Sequence, residues 1–215
     1  MVFSSITFLF YFLPIVLAIY YISPKKLKNL ILLVASFLFY FFGEPTYVLL
    51  MAFSILSTYI FGILIDKYRN TKYTKLWLIL AISVSIGLLV YFKYANFIIQ
   101  NINLWLSHKI DFIYVVLPIG ISFYTFQMLS YLIDVYRGQA KVQKNILKLA
   151  TYVALFPQLI AGPIVRYTTI ENELENRTHT MEKFALGVRR FIIGLSKKIL
   201  IANVIRRTLS NFFIK

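Results

Sequence analysis

The 215-residue sequence contains no cysteine and only two histidines. The absence of cysteine excludes disulfide bonds, iron–sulfur ligation, cysteine nucleophiles and palmitoylation within this chain. Two histidines without a cysteine supply too few ligands for a metal centre, so we expect neither a metal nor a bound cofactor. The sequence also lacks a glycine-rich phosphate loop, a nucleophile elbow and a repeat of fixed period.

Charged residues are scarce as well, at 14%, whereas hydrophobic residues make up 60% and aromatic residues 18%. This composition lies far outside the range of soluble domains and makes the lipid bilayer the main partner. About 20 apolar residues span a bilayer core of roughly 30 Å. The apolar runs predict an all-α, polytopic membrane protein, with residues 1–215 as one transmembrane domain and spans at 3–21, 27–42, 47–65, 76–91 and 110–135.

Acidic residues number only 8 against 23 basic ones, which gives a formal net charge of +15. Eleven Lys and Arg residues fall in the first, third and fifth connections, and two fall in the second and fourth. This asymmetry predicts a multi-pass protein of the cell membrane with its N-terminus outside the cytoplasm. Cytoplasmic loops and anionic lipids account for the excess charge, so we expect no nucleic-acid partner.

Residues 149–165 form an apolar segment that Pro157, Gly162 and Pro163 interrupt. A broken helix at membrane depth is tolerated where it is buried in protein or lines a wet cavity. Two interpretations remain open, a re-entrant or split segment and a single kinked span. Arg166, Arg177 and Lys183 return to the basic side if the segment is re-entrant, which favours that interpretation.

A helix over residues 117–138 places small and polar side chains on one face. These lie within a stripe of about 100° and are Gly120, Phe123, Gln127, Ser130, Tyr131 and Asp134. Such a face packs against other helices or lines a passage, and both alternatives remain open. Asp134 and Arg137 are spaced to form an ion pair at the end of the helix.

Both histidines occupy polar stretches, His108 in a connection and His179 in a loop at 168–180 that we expect to be solvated. A catalytic base is normally held in a cleft within reach of its substrate. The sequence therefore assigns no catalytic role to either histidine.

Two segments, residues 117–138 and 156–167, which we call the first and second motif segments, resemble signatures of the membrane-bound O-acyltransferase family, in the branch that acylates bacterial envelope polysaccharides such as alginate and teichoic acid. The resemblance is carried by Pro118, Gly120, Ser122, Phe123, Gln127, Tyr131, Asp134, Arg137 and Gly138, then by Phe156, Pro157, Gly162, Pro163 and Ile164, and more weakly by Gly194, Leu195, Lys197 and Lys198. The resemblance implies a helical membrane protein built around a tunnel. In such a protein, a cytoplasmic thioester on coenzyme A or a carrier protein donates an acyl group to a hydroxyl of an extracytoplasmic polysaccharide. We expect the acyl group to be acetyl. As tunnel-lining or core-packing candidates we select Gln127, Tyr131, Asp134, Arg137, Gln158, Gly162, Pro163 and Arg166.

In that family the catalytic histidine stands beside a Trp and before a Gly in the later half of the chain. Neither His108 nor His179 has those neighbours. We therefore expect residues 1–215 to be the N-terminal half of the family's core, inactive alone, with the histidine beyond Lys215. Two alternatives are a transporter or flippase, and a noncatalytic scaffold for envelope-modifying proteins. The acceptor glycan, the donor carrier and the choice of acetyl or D-alanyl remain open.

Overall fold

The computed structural model describes residues 3–106, 110–159 and 163–213, and every regular element in these ranges is helical. The prediction of an all-α chain is therefore confirmed for the described residues. The α-helices are α1 (Leu13–Ile22), α2 (Lys28–Phe41), α3 (Val48–Lys67), α4 (Lys72–Leu89), α5 (Ala95–Asn103), α6 (Ile121–Tyr136), α7 (Ile146–Ala154), α8 (Phe156–Leu159), α9 (Tyr167–Glu175), α10 (Met181–Ser196) and α11 (Asn203–Phe213). Wider π-helical turns occupy Thr7–Phe12, Val90–Tyr94 and Lys197–Ala202.

Two helices, Val48–Lys67 and the continuous Lys72–Asn103, are long and apolar enough to cross a membrane. The helices predicted at 3–21, 27–42, 47–65 and 76–91 are all present as helices. The fourth is longer than predicted, because a π-helical turn carries it past residue 91 into α5. That these four helices cross the membrane stays a prediction.

The prediction of one continuous helix over 110–135 is wrong in its first part. Residues 110–118 lack helical structure in the described chain, and α6 begins at Ile121, after Gly120 in the left-handed conformation at φ 78°. Pro118 explains the late start, because proline lacks an N–H and disfavours a helical residue before it. Hydropathy did not separate the two parts, since the extended residues are as apolar as the helix.

Polar side chains of other segments bind the peptide groups of this extended stretch. The amide of Asn96 donates to the carbonyl of Ile113 at 2.8 Å, and its oxygen accepts from the N–H of Ile113 at 2.9 Å. Asn103 makes the same two bonds to Ile110, each 2.8 Å. The Tyr47 hydroxyl donates to the carbonyl of Val116 at 2.7 Å. These contacts replace helical hydrogen bonds, so the backbone is not left unpaired.

Helix α6 is central, because it packs against α3, α4 and α7. Ten of its side chains are buried, with Tyr131, Leu132 and Val135 fully covered. It ends at Tyr136, and Gly138, two residues later, has a φ of 74° that lets the chain turn back. The N–H of Gly138 and the guanidinium of Arg69 both donate to the carbonyl of Val135, each at 3.1 Å. The end of the central helix is thus bound by the turn between α3 and α4.

The stretch after α8 differs from the expected solvated loop at 168–180. Residues Tyr167–Glu175 form α9, in which Tyr167 and Leu174 are buried. Further along, α10 has no buried side chain. The fold therefore consists of a packed body that ends with α9, followed by a helical arm.

We expect Gly120→Ala to destabilise the chain by about 1–3 kcal/mol, because an alanine there is forced into the left-handed region. A Cβ atom at Gly120 would also lie 2.8 Å from the carbonyl oxygen of Leu159. Thermal unfolding of the purified chain in detergent measures this. The matched control is Gly87→Ala in α4, where no atom lies within 4 Å of the added carbon and where alanine stabilises a helix by up to about 1 kcal/mol. Equal transition temperatures for the two variants contradict the prediction.

Candidate functional site

The two motif segments of the sequence lie against each other in the structure. Gly120, which immediately precedes α6, packs closely against Leu159 at the end of α8. A Cβ atom added at Gly120 would lie 2.8 Å from the carbonyl oxygen of Leu159. About two helical turns further along α6, Gln127 contacts α7. We call the polar group that joins these segments the amide–tyrosine cluster; its members are Gln127, Tyr131, Gln143, Tyr152, Gln158 and Tyr167.

The cluster is built around the break between α7 and α8, where Leu155 leaves the helical conformation. Pro157 is the second residue of α8, a position at which its missing N–H needs no partner, whereas its ring would clash with the carbonyl of Val153 in a continuous helix. The N–H of Phe156 donates to the Ser36 hydroxyl at 3.1 Å. As a result, the carbonyl of Tyr152 loses the partner that a continuous helix provides.

Two glutamine amides replace that partner. The Nε2 atoms of Gln127 and Gln158 each donate to the carbonyl oxygen of Tyr152 at 2.9 Å. A carbonyl oxygen has two lone pairs and accepts both bonds. Gln127 therefore ties the central helix to the break, and Gln158 ties α8 to α7.

The tyrosines connect the break to the chain on either side of it. The hydroxyl of Tyr152 donates to the carbonyl of Val165 at 2.8 Å. The hydroxyl of Tyr131 accepts from the N–H of Gln143 at 2.9 Å, and the amide of Gln143 donates to the hydroxyl of Tyr167 at 2.7 Å. The ring of Tyr167 packs edge to face against Tyr131 and Tyr152, with centroids 5.1 and 5.3 Å apart.

Close packing leaves little space around the cluster. Tyr131, Tyr152 and Tyr167 are fully buried, and a Cβ at Gly62 in α3 would lie 3.3 Å from the Tyr131 hydroxyl oxygen. Four buried side-chain oxygens have no partner among the described residues, namely Asn29 Oδ1, Tyr124 Oη, Gln127 Oε1 and Asp134 Oδ2. Within the cluster, Gln127 Oε1 is therefore an acceptor without a partner in the described part of the chain, and the six members carry only amide and phenol groups.

The predicted site residues divide into a buried and an exposed set. Gln127, Tyr131 and Asp134 lie in the helix packing, at 0, 0 and 5% exposure. Arg137, Pro163 and Arg166 are exposed, Gln158 is half-buried, and Gly162 lies outside the described residues, as does His108. That any of them lines a passage stays a prediction.

The predicted Asp134–Arg137 ion pair is wrong for the described structure. Asp134 lies buried between helices, whereas Arg137 is exposed at the end of α6. The ion pairs of the described residues are Arg69–Asp66 at 3.1 Å and Lys148–Glu175 at 2.8 Å. The Lys148 ammonium donates a hydrogen bond to the Glu175 carboxylate and thereby lowers the pKa of that carboxyl.

Three members of the cluster, Gln143, Tyr152 and Tyr167, were not among the predicted site residues. Gln143 lies in a basic connection, and its contacts span 12 and 24 residues, so local spacing gives no sign of them. The sequence pattern places Tyr152 on the apolar face of α7, which indicates packing and not a polar contact. Tyr167 carried a weak signal, because it closes the second motif segment.

His179 lies against Tyr20 of α1 instead of standing free in a loop. Its Nε2 is 3.3 Å from the Tyr20 hydroxyl oxygen. Desolvation, together with the positive charges of Lys28 and Arg177, lowers the pKa of the imidazole. The described residues contain no cluster of side chains fit to bind a metal ion.

Comparison with known proteins gives a consistent set of relatives. The chain is 43% identical to the probable alginate O-acetylase AlgI of Pseudomonas putida over 210 residues, which cover 95% of the chain and 43% of the relative. It is 42% identical to the protein of the same name from Pseudomonas aeruginosa, over 95% of the chain and 40% of the relative. The peptidoglycan O-acetyltransferase of Helicobacter pylori is 33% identical over 236 residues, 94% of the chain and 45% of the relative.

The chain thus spans less than half the length of the curated relatives it matches. No family model matches the chain. No solved structure matches it either.

A double-mutant cycle on the two glutamines tests the cluster. Either Gln127→Leu or Gln158→Leu leaves the Tyr152 carbonyl one partner, so we expect each to cost about 1 kcal/mol of stability. The double variant leaves the carbonyl buried and unpaired, which adds about 1–3 kcal/mol beyond the sum of the single effects. Unfolding of the purified chain in detergent measures the coupling. Gln139→Leu, at an exposed glutamine, is the control, and strict additivity of the two buried changes contradicts the prediction.

Proposed function

We propose that the chain belongs, over the part of the relatives that it spans, to the alginate O-acetylase branch of the membrane-bound O-acyltransferases, and that it forms the N-terminal part of a polysaccharide O-acetyltransferase. The observation that carries the proposal is the similarity to named O-acetylating enzymes along nearly the whole chain. The packing of the two motif segments against each other supports it, because these segments also carry the family resemblance.

In the proposed reaction, a hydroxyl of a polysaccharide attacks the carbonyl of an acetyl thioester. A base takes the hydroxyl proton, the carbon–sulfur bond breaks, and the thiol leaves with a proton. A neutral histidine suits this task because its ordinary pKa is near 6.5. By the family pattern we assign the base to a histidine in a region of the relatives that the match does not include, and not to His179.

For the amide–tyrosine cluster we propose a positioning role. The glutamine amides do not titrate, and the hydroxyls of Tyr131, Tyr152 and Tyr167 are engaged in hydrogen bonds. The cluster fixes the break between α7 and α8 and thereby the course of residues 163–166. Catalytic geometry is sensitive to such placement, since a shift of about 1 Å can lower a rate by about 100-fold.

The topology completes the proposal. The enzyme lies in the cell membrane with its N-terminus outside the cytoplasm, the thioester donor on the cytoplasmic side and the polysaccharide on the other. The donor is carried by coenzyme A or by a carrier protein. Envelope-modifying proteins are the expected partners on the polysaccharide side.

A chimera tests the proposed function. Residues 1–215 replace the matching part of a full-length alginate O-acetylase, and the chimera is expressed in a strain that lacks its own enzyme. We expect acetyl esters to return to the secreted alginate, because the chain supplies the same part of the catalytic body. The ester content of the purified polymer is the measurement.

The controls separate folding from catalysis. The chimera with Gln127→Leu and Gln158→Leu is expected to acetylate at least about tenfold more slowly, whereas Gln139→Leu leaves the rate unchanged. A chimera that accumulates in the membrane at the parental level but transfers acetyl neither to alginate nor to peptidoglycan overturns the proposal.

A further inference from the structure

A cleft rich in basic side chains lies between the turn that joins α1 to α2 and the turn that joins α9 to α10. Its volume is about 260 Å³. We call it the basic cleft; the residues that give it its character are Lys25, Lys28, Asn29, Glu175, Arg177 and His179. It lies outside the amide–tyrosine cluster, and the proposed function does not use it.

The charges of the basic cleft are not balanced within the described chain. Its single carboxylate, Glu175, is already paired with Lys148 at 2.8 Å. Lys28 is only 9% exposed, and its ammonium lies 4.7 Å from the centre of the Tyr20 ring, with no carboxylate of the described residues within ion-pair distance. A buried cation without a counter-charge is costly, so the cleft favours an anion.

Hydrogen bonds hold the walls of the basic cleft in place. The hydroxyl of Tyr20 lies 3.3 Å from Nε2 of His179 and accepts from the Arg177 guanidinium at 3.5 Å. The amide of Asn29 donates to the carbonyl of Leu174 at 3.0 Å and joins α2 to the end of α9. The positive groups are therefore arranged before any ligand arrives, which lowers the entropic cost of binding.

An apolar groove of about 470 Å³ opens on the other side of His179, which lines both spaces together with Thr178. The apolar groove runs between α1 and α10, and its walls include Leu13, Leu17, Tyr21, Phe184, Val188 and Phe191. A ligand that fills both spaces has an anionic head joined to a hydrocarbon chain. A soluble phosphate ester would leave the apolar groove empty.

We propose that the basic cleft and the apolar groove together bind one anionic glycerophospholipid, with its phosphate among Lys25, Lys28 and Arg177 and an acyl chain between α1 and α10. Charge-assisted hydrogen bonds from ammonium and guanidinium groups suit phosphate oxygens. Burial of a hydrocarbon chain contributes about 0.8 kcal/mol per CH₂ group. This site does not depend on the proposed transferase function.

Binding of a fluorescent phosphatidylglycerol to the purified chain in detergent tests the proposal, with phosphatidylcholine of the same acyl chains as the uncharged-head comparison. We expect the double change Lys25→Gln and Arg177→Gln to weaken phosphatidylglycerol binding about tenfold or more. The control is Lys72→Gln with Lys75→Gln, which removes the same charge from exposed positions in the first turn of α4 and is expected to change binding less than about twofold.

A second variant tests the apolar groove without altering charge. Gly187 lies on the groove wall, and no atom is within 4 Å of a carbon added there. Gly187→Trp is therefore expected to fold normally and to weaken phosphatidylglycerol binding about tenfold by occupying the groove. Three results would each overturn the proposal. The first is an equal loss of phosphatidylglycerol binding in the two charge variants, and the second is no loss of binding in Gly187→Trp. The third is that millimolar inorganic phosphate competes for the site as strongly as the lipid does.

Discussion

A peptide group that leaves a helix but stays buried must find its hydrogen-bond partner in the protein, because no water reaches it. This chain meets that requirement at two places with neutral side chains from distant segments. Asn96, Asn103 and Tyr47 bind the extended residues before α6, and Gln127 and Gln158 bind the carbonyl exposed at the break before α8. The irregular parts of the backbone are therefore fixed by the regular ones, and the positions of both motif segments follow from these few bonds.

The choice of amides and hydroxyls over charges has a physical basis. Burying an ion in the packed body costs several kcal/mol unless a partner of opposite charge is buried with it, whereas an amide brings a donor and an acceptor without a net charge. The charged residues follow this distinction, since Lys148 and Glu175 pair at the edge of the body and the basic cleft lies at its rim. Asp134 and Lys28 are the exceptions, because both are buried without a partner of opposite charge among the described residues.

Much of the helical architecture was predictable, because apolar runs of sufficient length between polar connections indicate helices at membrane depth. The break near Pro157 was also predictable, since proline cannot continue a helix. The extended stretch at 110–118 was not, because its side chains are as apolar as those of a helix and its stabilising partner, Asn96, lies 17 residues away from Ile113. Within the amide–tyrosine cluster, Gln127 could be selected from its place on the polar face of α6. Gln143 could not, because it lies in a connection whose path no local sequence pattern specifies.

The continuous helix Lys72–Asn103 has 32 residues and is therefore about 48 Å long at 1.5 Å per residue, against roughly 30 Å of bilayer core. Its surplus length carries Lys93, bonded to Ser122 at 3.1 Å, and the asparagines that bind the extended stretch. The C-terminal part of this helix is thus hydrogen-bonded to the start of α6. Because a helix longer than the bilayer core adjusts by tilting, any tilt of Lys72–Asn103 in a membrane would shift the start of α6 through the bond from Lys93 to Ser122.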